Sequence, residues 1–219
     1  MKTLLQKVSG ARRKTTQNTI LKKDGTMAKK TKFAITVTFD SSVPVKLSPL
    51  KSIQKGADRG KVGVSVTDCS CTNKPILLSW DEETDPINKT VKLALKEVRV
   101  EMVVKCAIQY AKEIDRKSPC YAHIVKHEYM HLSSRKASVK KYGPAMIKWV
   151  EKAAAPTMDK PETVKLSKAK AIRAATYKNI ETAVKEACGK FMTGSNTDSK
   201  KIDSTSENNK TTALCAAYI

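Results

Sequence analysis

The three histidines of the chain, His123, His127 and His131, lie within nine positions of one another. The last two enclose a glutamate in the pattern His-Glu-x-x-His, in which Glu128 follows His127 directly. On an α-helix, residues four apart lie on one face about 6 Å apart along the axis, so two imidazoles can bind one metal ion. Glu128 then lies beside them, where a carboxylate can deprotonate a metal-bound water. The spacing predicts a Zn²⁺ site with His127 and His131 as ligands and Glu128 as general base.

The sequence around this motif supplies the helix that the chemistry needs. Ser118 is a favourable N-cap, a proline at the first helical position follows it, and the next glycine and proline come only at Gly143-Pro144. We therefore predict a motif helix over 118–142. Gly143-Pro144 is expected to turn the chain back into a second helix over 144–155.

These residues resemble the active-site helix of zincin-type metallopeptidases, in which an aliphatic residue and uncharged positions precede His-Glu-x-x-His. More loosely, residues 98–155 are similar to bacterial domains of unknown function described as predicted zinc-dependent proteases. In those domains a β-rich segment and a Ser/Cys-containing turn, here Ser118-Pro119-Cys120, come before the motif helix, and a second helix follows. The resemblance covers about a quarter of the chain. It implies a zinc-dependent peptidase.

A hydrolytic zinc site needs a third protein ligand. We predict Glu151, because it lies twenty residues after His131, close to the spacing found in zincins that have a glutamate ligand. His123 continues the row of histidines, but it is about 12 Å along a straight helix from His131 and cannot share one ion with it. Cys120 and Cys71 stay open as softer ligands.

The predicted function is therefore a zinc-dependent hydrolase, a peptidase in the first place, whose oxyanion is held by the metal and by Tyr142, Tyr129 or Arg135. The alternative is a basic structural or polyanion-binding protein, such as part of a nucleoprotein or viral assembly, with a non-catalytic metal site. A third hypothesis is a regulatory domain that keeps zinc without turnover.

A large positive charge is the second marked feature of the chain. Lys and Arg number 42 against 21 Asp and Glu, which gives a net charge of +21, and such a charge attracts polyanions. Ten of the basic residues and a single acidic one lie in residues 1–32, which we interpret as a basic N-terminal arm. The aromatic content of 5% argues against a stacking platform for single-stranded nucleic acid. The expected partners are a protein or peptide substrate and, through the arm, non-specific polyanions.

Membrane and export signals are weak. The chain has no apolar run of 18 residues, so no membrane span is predicted. Leu4-Leu5 is too short for the apolar region of a signal peptide, so none is recognised and a cytoplasmic location is favoured. Because the six cysteines form no C-x-x-C pair and no export signal is recognised, we expect reduced thiols.

An alternation of apolar and polar residues from 32 to 112 predicts short strands. The phase of this alternation changes between Leu95 and Val98, which predicts a bulge or a tight turn at Lys96-Glu97. A broad apolar stripe over 163–192 predicts a third helix.

The expected fold is α+β, with an antiparallel or mixed β-sheet followed by the motif helix and two further helices. In this interpretation the basic arm (1–32) precedes a zincin-like domain over 33–192. Residues 193–219 are polar and are expected to form a disordered tail.

Overall fold

A computed structural model of the chain describes residues 32–56, 64–155 and 162–219. The strands are β1 (Lys32–Phe39), β2 (Val45–Ser48), β3 (Ser65–Asn73), β4 (Leu77–Asp85), β5 (Thr90–Ala111) and β6 (Glu162–Lys165). The helices are α1 (Leu50–Gly56), α2 (Pro119–Ala154), α3 (Leu166–Lys200) and α4 (Thr205–Cys215), with a short 3₁₀ turn at Ala216–Tyr218. The α+β class is confirmed. The predicted basic arm lies outside the described residues except for Lys32, which begins β1.

The sheet is organised around β5, which pairs with each of the other five strands. β1 and β2 run parallel to β5, whereas β3, β4 and β6 run antiparallel to it. β1 and β3 both pair with residues 102–104 of β5, so they lie along its opposite edges. The sheet is therefore mixed, which is one of the two predicted arrangements, and it is not wholly antiparallel.

The predicted irregularity at Lys96-Glu97 is a bulge inside one long strand, not a turn. Ser79 of β4 pairs with Glu97, and the next residue, Trp80, pairs with Leu95, so Lys96 has no opposite residue. An extra residue of this kind reverses which side chains face the core. The buried positions of β5 follow the two predicted phases: Val91, Leu93 and Leu95, then Val98, Val100, Met102, Val104, Cys106, Ile108 and Tyr110.

α2 is one continuous helix of 36 residues, so the predicted turn at Gly143-Pro144 is wrong. A proline inside a helix costs roughly 3 kcal/mol. Met146 and Val150, which follow it, are 4% and 0% exposed, and burying such side chains contributes about 1.5–3 kcal/mol each. The free energy gained by burying these side chains in a continuous helix therefore offsets the cost of the proline.

Within the described residues, no helix combines the length and the apolar composition that a membrane span requires.

The largest apolar core lies between the sheet and the C-terminal half of α2 together with α3. The helical members of this cluster are Met146, Val150, Ala154, Ile180, Val184, Ala187, Cys188 and Phe191, and β1 and β5 supply most of the strand residues. At Gly143, α2 packs against β1, and an added Cβ would lie in ordinary van der Waals contact, 3.7 Å from Cβ of Val37. This packing fixes the direction of α2 across the sheet.

The expected disordered tail from residue 193 is also corrected. α3 continues to Lys200, and after a short link the chain forms α4. Ser195 and Ser199 are 0% and 6% exposed, because they face polar groups of α2. A polar sequence favours disorder when it has nothing to bury, whereas here its hydroxyls have buried partners.

All six cysteines form disulfides, so the expectation of reduced thiols is wrong. The pairs are Cys69–Cys106, Cys71–Cys188 and Cys120–Cys215. Their partners lie 37, 117 and 95 residues apart in the sequence, so local spacing could not reveal them. Sets of disulfides are typical of proteins in oxidising compartments, which removes the basis for the expected cytoplasmic location.

Candidate metal centre

The motif helix begins where the sequence predicts. The hydroxyl oxygen of Ser118 accepts a hydrogen bond from the backbone N–H of Tyr121 at 3.1 Å, and Pro119 occupies the first helical position. About two helical turns after Pro119, His127 and then His131 point toward the link between α3 and α4. Their side chains are 13% and 11% exposed, so they are sheltered but not sealed from solvent.

Asp203, in the link between α3 and α4, completes a group of three side chains with the two histidines. Its Oδ1 lies 3.1 Å from Nε2 of His127 and 3.0 Å from Nε2 of His131. The two Nε2 atoms are themselves 3.0 Å apart. Three atoms of the kinds that bind metals thus form a nearly equilateral triangle.

Such a triangle needs positive charge. Two imidazole lone pairs and a carboxylate oxygen repel one another at these distances unless a proton or a metal cation lies among them. In the metal-free chain a proton can serve: the hydrogen bond to Asp203 raises the pKa of His127 against the effect of burial, and the charge of Glu128 adds to the rise. The same three ligand atoms can surround a metal cation.

The dimensions of the triangle fit a tetrahedral transition-metal ion. Zinc bonds of about 2.0–2.1 Å place neighbouring ligand atoms about 3.3 Å apart. The measured separations of 3.0–3.1 Å are shorter by only a few tenths of an ångström. Three protein ligands, two of them histidine, leave one tetrahedral position for water or substrate.

A further group orients one of the histidines. Nδ1 of His131 lies 2.7 Å from the hydroxyl of Ser199, which is buried on α3. In metal sites the ring nitrogen that does not bind the ion usually donates to such a partner, which fixes the tautomer and leaves the other nitrogen free to bind. Nδ1 of His127 is buried and has no hydrogen-bond partner in the part of the chain that the structure describes.

Glu128 faces the sheet rather than the triangle. Ser65 Oγ donates a hydrogen bond to its Oε1 at 2.5 Å, and Thr67 Oγ1 donates another to its Oε2. The residue is 3% exposed and is not part of the three-residue group. In this position the hydrogen bonds of Glu128 join α2 to β3, and its carboxylate supplies negative charge near His127. The carboxylate that is predicted to act as general base therefore contacts β3 in this arrangement.

The other predicted ligands lie elsewhere. Because α2 is continuous, Glu151 is about 30 Å along the helix from His131, and its assignment as the third ligand is wrong. His123, which we excluded from the ligand set, instead forms a hydrogen bond with Thr211 on α4, at 3.0 Å from Nε2 to Oγ1. The alternatives Cys120 and Cys71 are in disulfides and cannot bind an ion as thiolates.

Arg135 lies one turn beyond His131 and extends the same row of side chains. It is 7% exposed, and its guanidinium donates to Ser195 Oγ at 2.9 Å. Burial lowers its pKa, partly offset by the charge of Asp68. Of the other proposed oxyanion donors, Tyr129 is 57% exposed and Tyr142 donates to Asp198.

Asp203 was missed because it belongs to the stretch that composition assigns to a disordered tail. One local signal could have found it. Ser204 and Glu207 form the Ser-x-x-Glu pattern of a helix start, and Ser204 Oγ does accept from the backbone N–H of Glu207 at 3.3 Å. A helix starting at this point would have indicated an ordered segment after α3, with Asp203 immediately before it.

The chain matches no protein-family model, no curated protein and no solved structure.

Proposed function

We propose that this protein is a zinc-dependent hydrolase, with the peptide bond as its target. His127, His131 and Asp203 would hold the Zn²⁺. The supporting observation is the triangle itself: three ligand atoms 3.0–3.1 Å apart, two of them from a His-Glu-x-x-His motif on a helix. This ligand set is of the kind that catalytic zinc uses, with three protein ligands and one remaining position.

Zn²⁺ bound there would supply Lewis acidity toward a carbonyl oxygen and toward water. The chain's own residues would prepare the site. Ser199 fixes the ring of His131, the short link carries Asp203 to both histidines, and the charge of Glu128 favours a cation beside His127. Arg135 places a buried positive charge one turn away, on the same side of α2 as the two ligand histidines.

Metal analysis of protein purified without chelator tests the first step. We expect about one zinc per chain. The variants His127→Ala, His131→Ala and Asp203→Ala should lose it, whereas Glu151→Ala should keep it. A wild-type chain without zinc, or a Glu151→Ala variant that loses as much zinc as His131→Ala, would overturn the ligand set.

The role of Glu128 separates turnover from metal binding alone. If Glu128 acts as general base, its carboxylate must leave the hydroxyls of Ser65 and Thr67 when substrate binds. Glu128→Gln should then keep zinc and lower peptide hydrolysis by about 10²–10⁴-fold. Wild-type turnover in Glu128→Gln, measured on a peptide library at equal zinc content, would contradict this role.

A second function is favoured by the same carboxylate. Both oxygens of Glu128 accept hydrogen bonds from β3 and the side chain is buried, which suits a domain that holds zinc without turnover. Zinc-loaded protein that cleaves no peptide, while zinc removal lowers its thermal unfolding temperature, would support this structural role over the hydrolase.

A further inference from the structure

α4 lies against the N-terminal part of α2, immediately beside the metal centre. The two helices are joined by the Cys120–Cys215 disulfide, and both of its residues are 0% exposed. His123, one turn before His127, lies between them, with its Nε2 at 3.0 Å from Thr211 Oγ1 and 3.7 Å from Glu207 Oε2. We refer to the disulfide and the His123–Thr211 contact together as the α4 clasp.

Asp203 depends on this contact because of its place in the chain. It lies in the link of residues 201–204 between the end of α3 and the start of α4. Ser204, the next residue, is the N-cap of α4. The link is short, so a movement of α4 away from α2 would carry Asp203 away from the histidines.

α4 has little else to hold it in place. Its 11 residues are mostly polar, and Cys215 is the single buried residue among them. A helix of this length is marginal in water by itself, and without an apolar face it gains little from packing. The covalent bond to Cys120 is therefore the main attachment of the helix that follows Asp203.

We propose that the α4 clasp is a positioning device for the metal centre: Cys120–Cys215 and His123 act through α4 to hold Asp203 against His127 and His131. This inference rests on the proposed zinc centre and names residues that do not touch the metal. Zinc affinity then depends on a disulfide that contributes no ligand. By thermodynamic linkage, bound zinc in turn keeps α4 docked.

The chain contains a matched control for the disulfide. Cys71–Cys188 joins β3 to α3 and does not touch α4. The two bonds close loops of 117 and 95 residues, so their removal should lower stability by similar amounts in the chain-entropy description. Replacing both cysteines of a pair by alanine also avoids new thiolates, which would bind zinc themselves.

The test measures zinc affinity of the full chain by competition with a chromophoric chelator. Cobalt(II) absorption serves as a second readout, because its intensity reports the coordination number and geometry of the ion. We expect Cys120→Ala/Cys215→Ala to bind zinc about 10- to 100-fold more weakly than wild type, in the range found when groups that orient a metal site are removed. Its cobalt spectrum should lose the intensity of the four-coordinate site. Cys71→Ala/Cys188→Ala should keep both properties.

Equal affinity in wild type and Cys120→Ala/Cys215→Ala, or equal weakening in both disulfide variants, would overturn the proposal. If circular dichroism shows that Cys120→Ala/Cys215→Ala does not fold, two variants of Thr211 test the proposal instead. Thr211→Val removes the hydroxyl that contacts His123 and should weaken zinc binding, while Thr211→Ser retains the hydroxyl and should restore the wild-type value. Equal affinity in these two variants contradicts the clasp. A wild-type chain that binds no zinc refutes the proposed function instead.

Discussion

The two halves of α2 face the same neighbour, α3 and its continuation into α4, but they use different chemistry. From Met146 to Ala154 the helix packs apolar side chains against Ile180, Val184 and Phe191. From Cys120 to Arg135 its contacts with α3, α4 and the link between them are a disulfide and polar contacts. The apolar half depends mainly on burial, with one hydrogen bond from Trp149 to Glu186. The polar half depends on oxidation state and protonation and, under the proposed function, on a bound cation, so the environment can change its state.

The largest effect should come from the apolar half. Phe191 is 1% exposed and packs edge-on against Tyr142, with ring centroids 6.3 Å apart. Phe191→Ala should lower the free energy of unfolding by about 3–5 kcal/mol, as for other large-to-small core changes. Chemical denaturation of the zinc-free, disulfide-intact protein measures it. Because Phe191 lies two helical turns from Ser199, zinc affinity should stay at the wild-type value, and a parallel loss would show that the two halves are coupled.

The next largest effect is expected in the polar half, at the contact between Ser199 and His131. Ser199→Ala removes the hydroxyl that lies 2.7 Å from Nδ1 of His131. Without this partner the ring is free to turn, and zinc affinity should fall about 10- to 100-fold, which chelator competition measures. Thr197→Ala, at an exposed position of the same helix, is the matched control and should leave zinc affinity at the wild-type value. Similar losses in both variants would mean that general loosening of α3 is responsible.

The polar half should also respond to pH, with opposite signs in the two metal states. The pKa of His127 is raised, chiefly by its hydrogen bond to Asp203. In zinc-free protein this contribution to stability is complete below the ordinary histidine pKa of about 6.5 and is lost as pH rises through the raised value. Zinc must displace that proton, so its affinity should instead fall by about tenfold per pH unit below the raised pKa.

Thermal unfolding and zinc titration between pH 5 and 8 would measure both trends. Asp203→Asn should abolish the first trend, since the amide does not favour a charged imidazole. Zinc-free stability that rises with pH over this range would contradict the assignment to His127.

The smallest effect concerns two glycines, Gly143 on α2 and Gly194 on α3. A Cβ at Gly143 would meet its nearest neighbour, Val37, at an ordinary 3.7 Å. Gly143→Ala should therefore stabilise the protein by about 0.5–1 kcal/mol, the usual gain from replacing glycine inside a helix. At Gly194 the new methyl would lie 3.1 Å from the ring of Tyr142, so Gly194→Ala should not show this gain. Equal gains in denaturation midpoint would mean that Tyr142 moves without cost.

Local patterns predicted what depends on local contacts. The phases of β5, its bulge and the N-cap of α2 follow from neighbouring residues, and each was found. The site required more. Asp203 reaches the histidines across 72 residues of sequence, and the disulfides cross up to 117.

In β3, the alternation of apolar and polar residues does not identify the buried face. In the predicted alternation the apolar Val66 should face the core, yet Val66 is 37% exposed, while Ser65 and Thr67 face α2 and donate hydrogen bonds to Glu128. The helix break at Pro144 failed for a related reason. The local propensity of proline favoured a break, but the burial of α2 against residues far away in sequence favoured a continuous helix.

The central position of β5 has a consequence for the order of folding. β4 joins it through a four-residue turn, in which Asp85 Oδ1 accepts from the N–H groups of Ile87 and Asn88 at 3.0 Å each. β1, in contrast, pairs Phe33 with Val98, across 65 residues. Closing such long loops is slow, so the β4–β5 hairpin should form first and become the template on which β1 docks later. Pulse-labelled hydrogen exchange during refolding should find the amides of β4 protected before those of β1, and the reverse order would show that the helices organise the sheet.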